Sequence, residues 1–319
     1  MVPKRPEDHL KVALQEQFNM PHSLITRSGS VAIILAMQAA GVSLGSQVII
    51  PASCCPIVMY ALQMAGYQTV LADVNLNTLN SDLSHIEAVI NENTAAILAV
   101  HAYGRVCDIE NIIRFSKLRG IIVIEDACLA YGGKVNERPI ASFADISVIS
   151  FGYDKPIAHG VGGAILFKDD IQAQNASIIL EKNTFFQFPN HARDFKGIAN
   201  EVKSLAAATK QRIENVLEID NLVSNPLFKK LSMPYHINYW RYPLLIEPTL
   251  RAKFIEFAKA RNQVFTCHYQ SLGALLTNSQ VPNADHIGKS IINVFVKPQI
   301  SKQEINIMAK IINEFNDDT

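Results

Sequence analysis

Ile121-Ile122-Val123-Ile124-Glu125-Asp126 is a run of four β-branched residues that ends on two carboxylates. A run this short and this apolar reads as a strand buried on both faces, the form that parallel sheets take. Thr69 to Asp73 and Ala95 to His101 repeat the form, each closing on a polar residue. Between the last two strands, Asp108 is suited to an N-cap and Gly120 to a helix stop, so the segment they enclose reads as a crossover helix. Working toward the N-terminus, the sequence predicts a helix over Pro56 to Met64, a strand over Gln47 to Pro51, and a helix over Ser30 to Ala40 that opens directly after Arg27-Ser28-Gly29. Toward the C-terminus, Ile146 to Phe151 and Gly163 to Phe167 add two strands. From Leu24 to Phe167 strand and helix thus alternate, which predicts an α/β fold around a mainly parallel sheet, with ligands at the carboxyl ends of its strands.

Past Lys168 the rhythm changes. Helical stretches over Ile171 to Glu181 and Ile198 to Leu222 flank an aromatic segment, Phe185-Phe186-Gln187-Phe188-Pro189. Then come Tyr239 to Ile246, a helix from Thr249 to Arg261, strands at Val264 to His268 and Ile291 to Val296, and a last helix started by the capping box Ser301-Lys302-Gln303-Glu304. This reads as a smaller α+β unit, with the division expected between a large domain, 1–209, and a small one, 210–319.

A chain of 319 residues, 49% hydrophobic and 18% charged, can bury a large core, which excludes disorder. Its 29 Lys and Arg balance 29 Asp and Glu, so no net field draws it to nucleic acid or an anionic membrane, and a small-molecule ligand is expected. The five cysteines, Cys54, Cys55, Cys107, Cys128 and Cys267, follow no metal-ligand spacing and read as free thiols in a reducing compartment; the adjacent pair Cys54-Cys55 reads as packing. Met1 to His9 lacks the apolar stretch of a signal peptide, which points to the cytoplasm. No charge appears between Arg27 and Asp73, but Gly41, Gly45, Pro51, Pro56 and Gly66 cut that stretch into pieces too short to span a membrane.

Three features fall where one pocket would collect them. Ser28-Gly29-Ser30 before an uncharged helix is either a simple cap or an anion cradle at the positive helix end. The carboxylate at the end of Ile121–Asp126 suits a metal, a ribose, a protonated ring nitrogen, or only a turn. In Ser150-Phe151-Gly152-Tyr153-Asp154-Lys155-Pro156, a lysine follows a strand and precedes the glycine-rich return Gly160-Val161-Gly162-Gly163. Pro156 keeps Lys155 out of the helical region and presents it from an extended loop. Neither a P-loop nor a dinucleotide fingerprint fits these glycines. A surface lysine is the bland alternative. His159, four residues on, is a weaker candidate for a second base.

Taken in order, Ser28-Gly29-Ser30, Val48-Ile49-Ile50-Pro51, His101-Ala102-Tyr103-Gly104, Ile124-Glu125-Asp126-Ala127, and Ser150-Phe151 through Lys155 with Gly162-Gly163-Ala164 resemble the DegT/StrS family of pyridoxal-phosphate-dependent sugar aminotransferases. The resemblance runs from about Glu7 to the C-terminus. It implies the type I aspartate aminotransferase fold, a seven-stranded-type, mainly parallel sheet domain with a smaller α+β domain, working as a homodimer on pyridoxal 5'-phosphate (PLP). Carried across, it implies Lys155 as the lysine that joins the cofactor aldehyde and moves the proton at Cα, and Asp126 as the partner of the ring nitrogen. Gly29, Ser30, the amide of Val31 and Ser150 would hold the phosphate. Asn200, with Ser204 four residues on, matches the stretch whose Asn reaches the phosphate of the other subunit, although Val202 stands where the family has Arg.

The sequence also departs from the family. Cys55 occupies the cofactor-binding place of a stacking aromatic ring, a loss of about 0.5–1.5 kcal/mol judged from aromatic pairs. Leu129 stands in the place of a Gln or His, Tyr131 where many relatives have His, and the chain begins near the first core helix. The reaction implied is transfer of an amino group from glutamate or glutamine to a keto-sugar, nucleotide-linked. A dehydratase of the same family would carry His in place of Lys155. A cofactor-binding regulator of low turnover is the reading from another class.

Overall fold

The computed structural model describes residues 7–189, 194–234, 237–276 and 279–317. Seven strands form the main sheet: β1 (His22–Thr26), β2 (Gln47–Pro51), β3 (Gln68–Ala72), β4 (Thr94–Val100), β5 (Ile122–Asp126), β8 (Ile146–Ser150) and β9 (Gly163–Phe167), with β6 (Lys134–Val135) and β7 (Arg138–Pro139) as a short side hairpin. Their order is β1-β9-β8-β5-β4-β2-β3. From β8 to β3 every pairing is parallel, while β9 runs antiparallel between β8 and β1. The sheet is therefore mixed and mostly parallel, and it agrees with the pattern read from the sequence.

Helices cover both faces. They are α1 (Asp8–Phe18), α2 (Gly29–Ala39), α3 (Pro56–Met64), α4 (Leu83–Glu87), α5 (Ile109–Lys117) and α6 (Asp170–Lys182). The uncharged α2 is buried nearly all round because it lies against β8 and β9 on one side and α3 and α6 on the other. One core joins α2, α3 and α6 to the sheet, and a second packs α4 and α5 on the opposite face through Ile86, Ile97, Ile109 and Ile112. The largest core runs from α1 into the C-terminal part of the chain.

That part comprises α7 (Phe195–Leu222), β10 (Phe228–Lys230), β11 (Tyr242–Ile246), α8 (Pro248–Lys259), α9 (Pro282–Ser290), β12 (Ile291–Val294) and α10 (Lys302–Glu314), with an antiparallel sheet in the order β10-β11-β12. The boundary expected between 209 and 210 falls inside α7. Both hydrogen bonds of the capping box at Ser301 and Glu304 are made. The strand expected over Val264 to His268 is corrected to a single bridge between Thr266 and Asn293. The Asn293 side-chain amide donates to the Thr266 and His268 carbonyls, so a side chain takes the place of further ladder bonds. No helix among the described residues is long and apolar enough to cross a membrane.

Candidate active site

The N-terminus of α2, the ends of β5 and β8, and the loop after β8 converge on one cleft. Ser28 caps α2. Its Oγ accepts from the Val31 N–H at 3.2 Å and lies 3.0 Å from Ser30 Oγ. A Cβ on residue 29 would stand 2.8 Å from Ser150 Cβ and 3.1 Å from Cys128 Sγ, so the close approach of α2 to β8 requires glycine there. Ser150 Oγ accepts from the Gly152 N–H at 3.2 Å. Hydroxyls and amides at the positive end of a helix form a cradle for an anion.

The two carboxylates of β5 part company, because successive strand residues face opposite sides. Glu125 is fully buried and accepts from the Ala141, Phe143 and Ala144 amides at 2.7, 2.8 and 3.2 Å, from Ser147 Oγ at 2.8 Å, and from His101 Nε2 at 3.1 Å. Burial works to raise its pKa, and the bonds from His101, Ser147 and Ala141 overcome it and hold the carboxyl below its usual range. His101 Nδ1 accepts from the Cys107 N–H at 3.2 Å, which leaves the proton on Nε2. Glu125 is therefore scaffold. Asp126 faces the cleft, with Oδ1 accepting from the Cys128 N–H at 3.0 Å.

Lys155 sits in a loop fixed at several points. Tyr131 Oη donates to the Ser150 carbonyl at 2.8 Å and accepts from the Ile157 N–H at 2.9 Å, so one phenol ties both flanks of the loop. Asp154 has φ 57°, in the left-handed region. Its carboxylate pairs with Arg241 at 3.3 Å and Lys297 at 2.7 Å, and its carbonyl accepts from Trp240 Nε1 at 2.6 Å. The half-buried Lys155 lines the cleft, and its amine makes no hydrogen bond or ion pair among the described residues.

Cys54, Cys55, Cys128, Leu129 and Tyr269 are among the residues of the remaining, mostly apolar wall. Burial pushes the Cys54 and Cys128 thiols well up, with Asp126 adding to it, so both stay protonated packing groups. Tyr269 stacks on Trp240 with ring centroids 5.7 Å apart, and its N–H donates to Tyr103 Oη at 3.0 Å. Of the residues singled out in the sequence, Gly29, Ser30, Cys55, Asp126, Leu129, Ser150 and Lys155 line this cleft. Val31 is buried with its amide held by Ser28, Asn200 is exposed on α7, and His159 is not part of the lining. Tyr269, Trp240 and Arg241 were not anticipated: they lie 85 or more residues beyond the lysine, and no spacing ties them to it.

A family model described as the DegT/DnrJ/EryC1/StrS aminotransferase family matches residues 6–313. Among curated proteins, the chain is 27% identical over 316 residues to a "Pleiotropic regulatory protein" of Geobacillus stearothermophilus, covering 92% of this chain and 85% of that one. It is 35% identical over 154 residues to a GDP-perosamine synthase of Escherichia coli O157:H7, spanning 48% of this chain and 42% of the relative. Among solved structures, a DegT/DnrJ/EryC1/StrS aminotransferase from Brucella abortus superposes with a TM-score of 0.88 at 18% identity, covering 97% of this chain and 90% of that one. A Bacillus subtilis protein, NtdA, solved with bound cofactor PMP, superposes with a TM-score of 0.85 at 19% identity, covering 97% and 76%.

Proposed function

Because the chain belongs to the DegT/DnrJ/EryC1/StrS aminotransferase family, whose members use PLP, we propose that it transfers an amino group from glutamate or glutamine to a keto-sugar carried on a nucleotide, with Lys155 as its reactive amine. The observation that carries this reading is the meeting of a lysine amine with no hydrogen bond or ion pair among the described residues, a strand-end carboxylate and a hydroxyl-lined helix N-terminus in one cleft. These groups fit the cofactor: a Cβ on Gly29 would crowd the cradle, and the donor set of Ser30, Ser150 and the first turn of α2 suits a phosphate. When bound, PLP supplies an electron sink. Asp126, which lines the cleft, would hold a proton on the ring nitrogen, which that sink requires. With the cofactor and donor bound, Lys155 Nζ would be the base that takes the proton from the donor's Cα. The loop that Tyr131 and Asp154 fix limits the arc through which that amine swings.

A homodimer completes the proposal, with Asn200 reaching the partner subunit's phosphate. Ile57, Tyr60 and Met64 are exposed along one face of α3 at 52, 43 and 88%, and Ile57 also lines the cleft. An apolar stripe continuous with the site suits a second copy. A cofactor-binding regulator with little turnover is a second reading, favoured by the apolar Cys55 and Leu129 wall. Incubating the PLP-loaded protein with glutamate separates them: conversion to PMP supports transfer, and an unchanged cofactor supports the regulator. Borohydride reduction should fix the cofactor mass on the Lys155 peptide; labelling elsewhere rejects the assignment.

A further inference from the structure

Lys155 lines a second cavity, of about 950 Å3, whose wall includes Asp154, Glu201, Ser204, Arg212, Arg241 and Lys297. Its charges are three cations, Arg212, Arg241 and Lys297, against two anions, Asp154 and Glu201, a net of one positive charge apart from Lys155 itself. Two of the cations are already paired, since Asp154 holds both Arg241 and Lys297. Arg212 differs. It is 6% exposed, no carboxylate among the described residues pairs with it, its Nε has no partner, and Nη1 reaches only Asn238 Oδ1, at 3.4 Å. That oxygen is oriented by the other end of the amide, which donates to the Tyr131 carbonyl at 2.6 Å. Burial draws the guanidinium down to about 10, still charged at neutral pH.

Asp154 acts on Arg212 only from beyond ion-pair distance, and a buried cation with no ion pair of its own is costly, a cost that a ligand carboxylate would relieve. We propose that this cavity takes the distal carboxylate of a dicarboxylic amino donor, with Arg212 as the group that receives it; this rests on the reading of Lys155 as the amine that the donor displaces. The charge count favours a carboxylate, because one unpaired guanidinium matches one negative charge, whereas a diphosphate would face Asp154 and Glu201 with too few free cations. The planar guanidinium also presents its donors to a carboxylate as a fork. The donor would then lie with its amine toward Lys155 and its far end in this cavity.

The test needs no turnover. Titration calorimetry of the PLP-loaded native protein with glutarate, which has two carboxylates and no amine, should show binding at least tenfold tighter than butyrate, which has one. Equal affinities overturn the proposal. In Arg212→Met, glutarate should fall to the level of butyrate, and Arg212→Lys, which keeps the charge and loses the fork, should recover part of the difference; glutarate binding unchanged in both variants overturns it. Binding of uridine diphosphate that depends on Arg212, with glutarate indifferent to it, would assign the cavity to the acceptor's phosphates and overturn the donor assignment. PMP formation is read separately: an inert cofactor with glutarate binding intact rejects the transfer reaction alone, and transfer from glutamate with glutarate indifferent to Arg212 rejects this site alone.

Discussion

Replacing Asp154 tests how Lys155 is held. The Lys297 pair is half exposed and contributes at most about 1 kcal/mol. The Arg241 side chain is 4% exposed while Asp154 is 42% exposed, so the 1.5–3 kcal/mol typical of a charged hydrogen bond is discounted to about 1–2 kcal/mol. At φ 57° an alanine pays about 1 kcal/mol that Asp and Asn largely avoid. Asp154→Ala should therefore lose about 2–4 kcal/mol in urea unfolding at pH 7, and Asp154→Asn about 1 kcal/mol less than that. The pH dependence follows from the same contacts. Burial opposes the charged form, but Lys297 and Arg241 outweigh it and hold the Asp154 carboxyl below its ordinary 3.8. A depressed carboxyl contributes its full stabilisation above the unfolded value and loses it as pH falls through the folded one. The advantage of the native protein over Asp154→Asn should thus be full at neutral pH and shrink progressively as pH falls below the unfolded value near 3.8. Equal losses for Ala and Asn, or an advantage that does not shrink on acidification below that value, would refute the account.

Gly29→Ala should destabilise the fold by about 1–3 kcal/mol through overpacking against Ser150 and weaken PLP binding, read by thermal unfolding and cofactor titration; native behaviour in both would show that α2 and β8 part easily. Asp126→Ala should slow PMP formation from glutamate by 100-fold or more while cofactor affinity changes far less, because the ring proton matters most as charge develops at Cα. Glu125→Gln should cost about 3 kcal/mol, since an amide NH2 would meet backbone donors at a fully buried position, and calorimetry would detect it; a neutral substitution contradicts the scaffold role.

The parallel half of the sheet was legible because its strands are short, continuous apolar runs, and Lys155, Asp126 and the Ser28 cap could be singled out because each lies at or soon after the end of such a run. Asp126 could not be told from Glu125 by composition alone; strand alternation separates them, but which face meets the cleft is set by the neighbouring β8. The strand expected at Val264 to His268 failed because Asn293 substitutes side-chain hydrogen bonds for a ladder, which no local pattern announces. Arg241, Trp240, Tyr269 and Arg212 were invisible for a different reason: their roles arise only when the C-terminal part of the chain folds back over the lysine loop, and long-range contact leaves no period in the sequence.

The adjacency of Glu125 and Asp126 limits how this protein can evolve. A deletion or insertion within β5 would exchange their faces, turning Asp126 toward the amides of residues 141, 143 and 144 and Glu125 into the cleft. Scaffold and chemistry would be lost together, so no intermediate genotype repairs one while keeping the other. Descendants are left with substitution along the strand and with length changes in the loops around it, where a new acceptor can be accommodated without shifting the register.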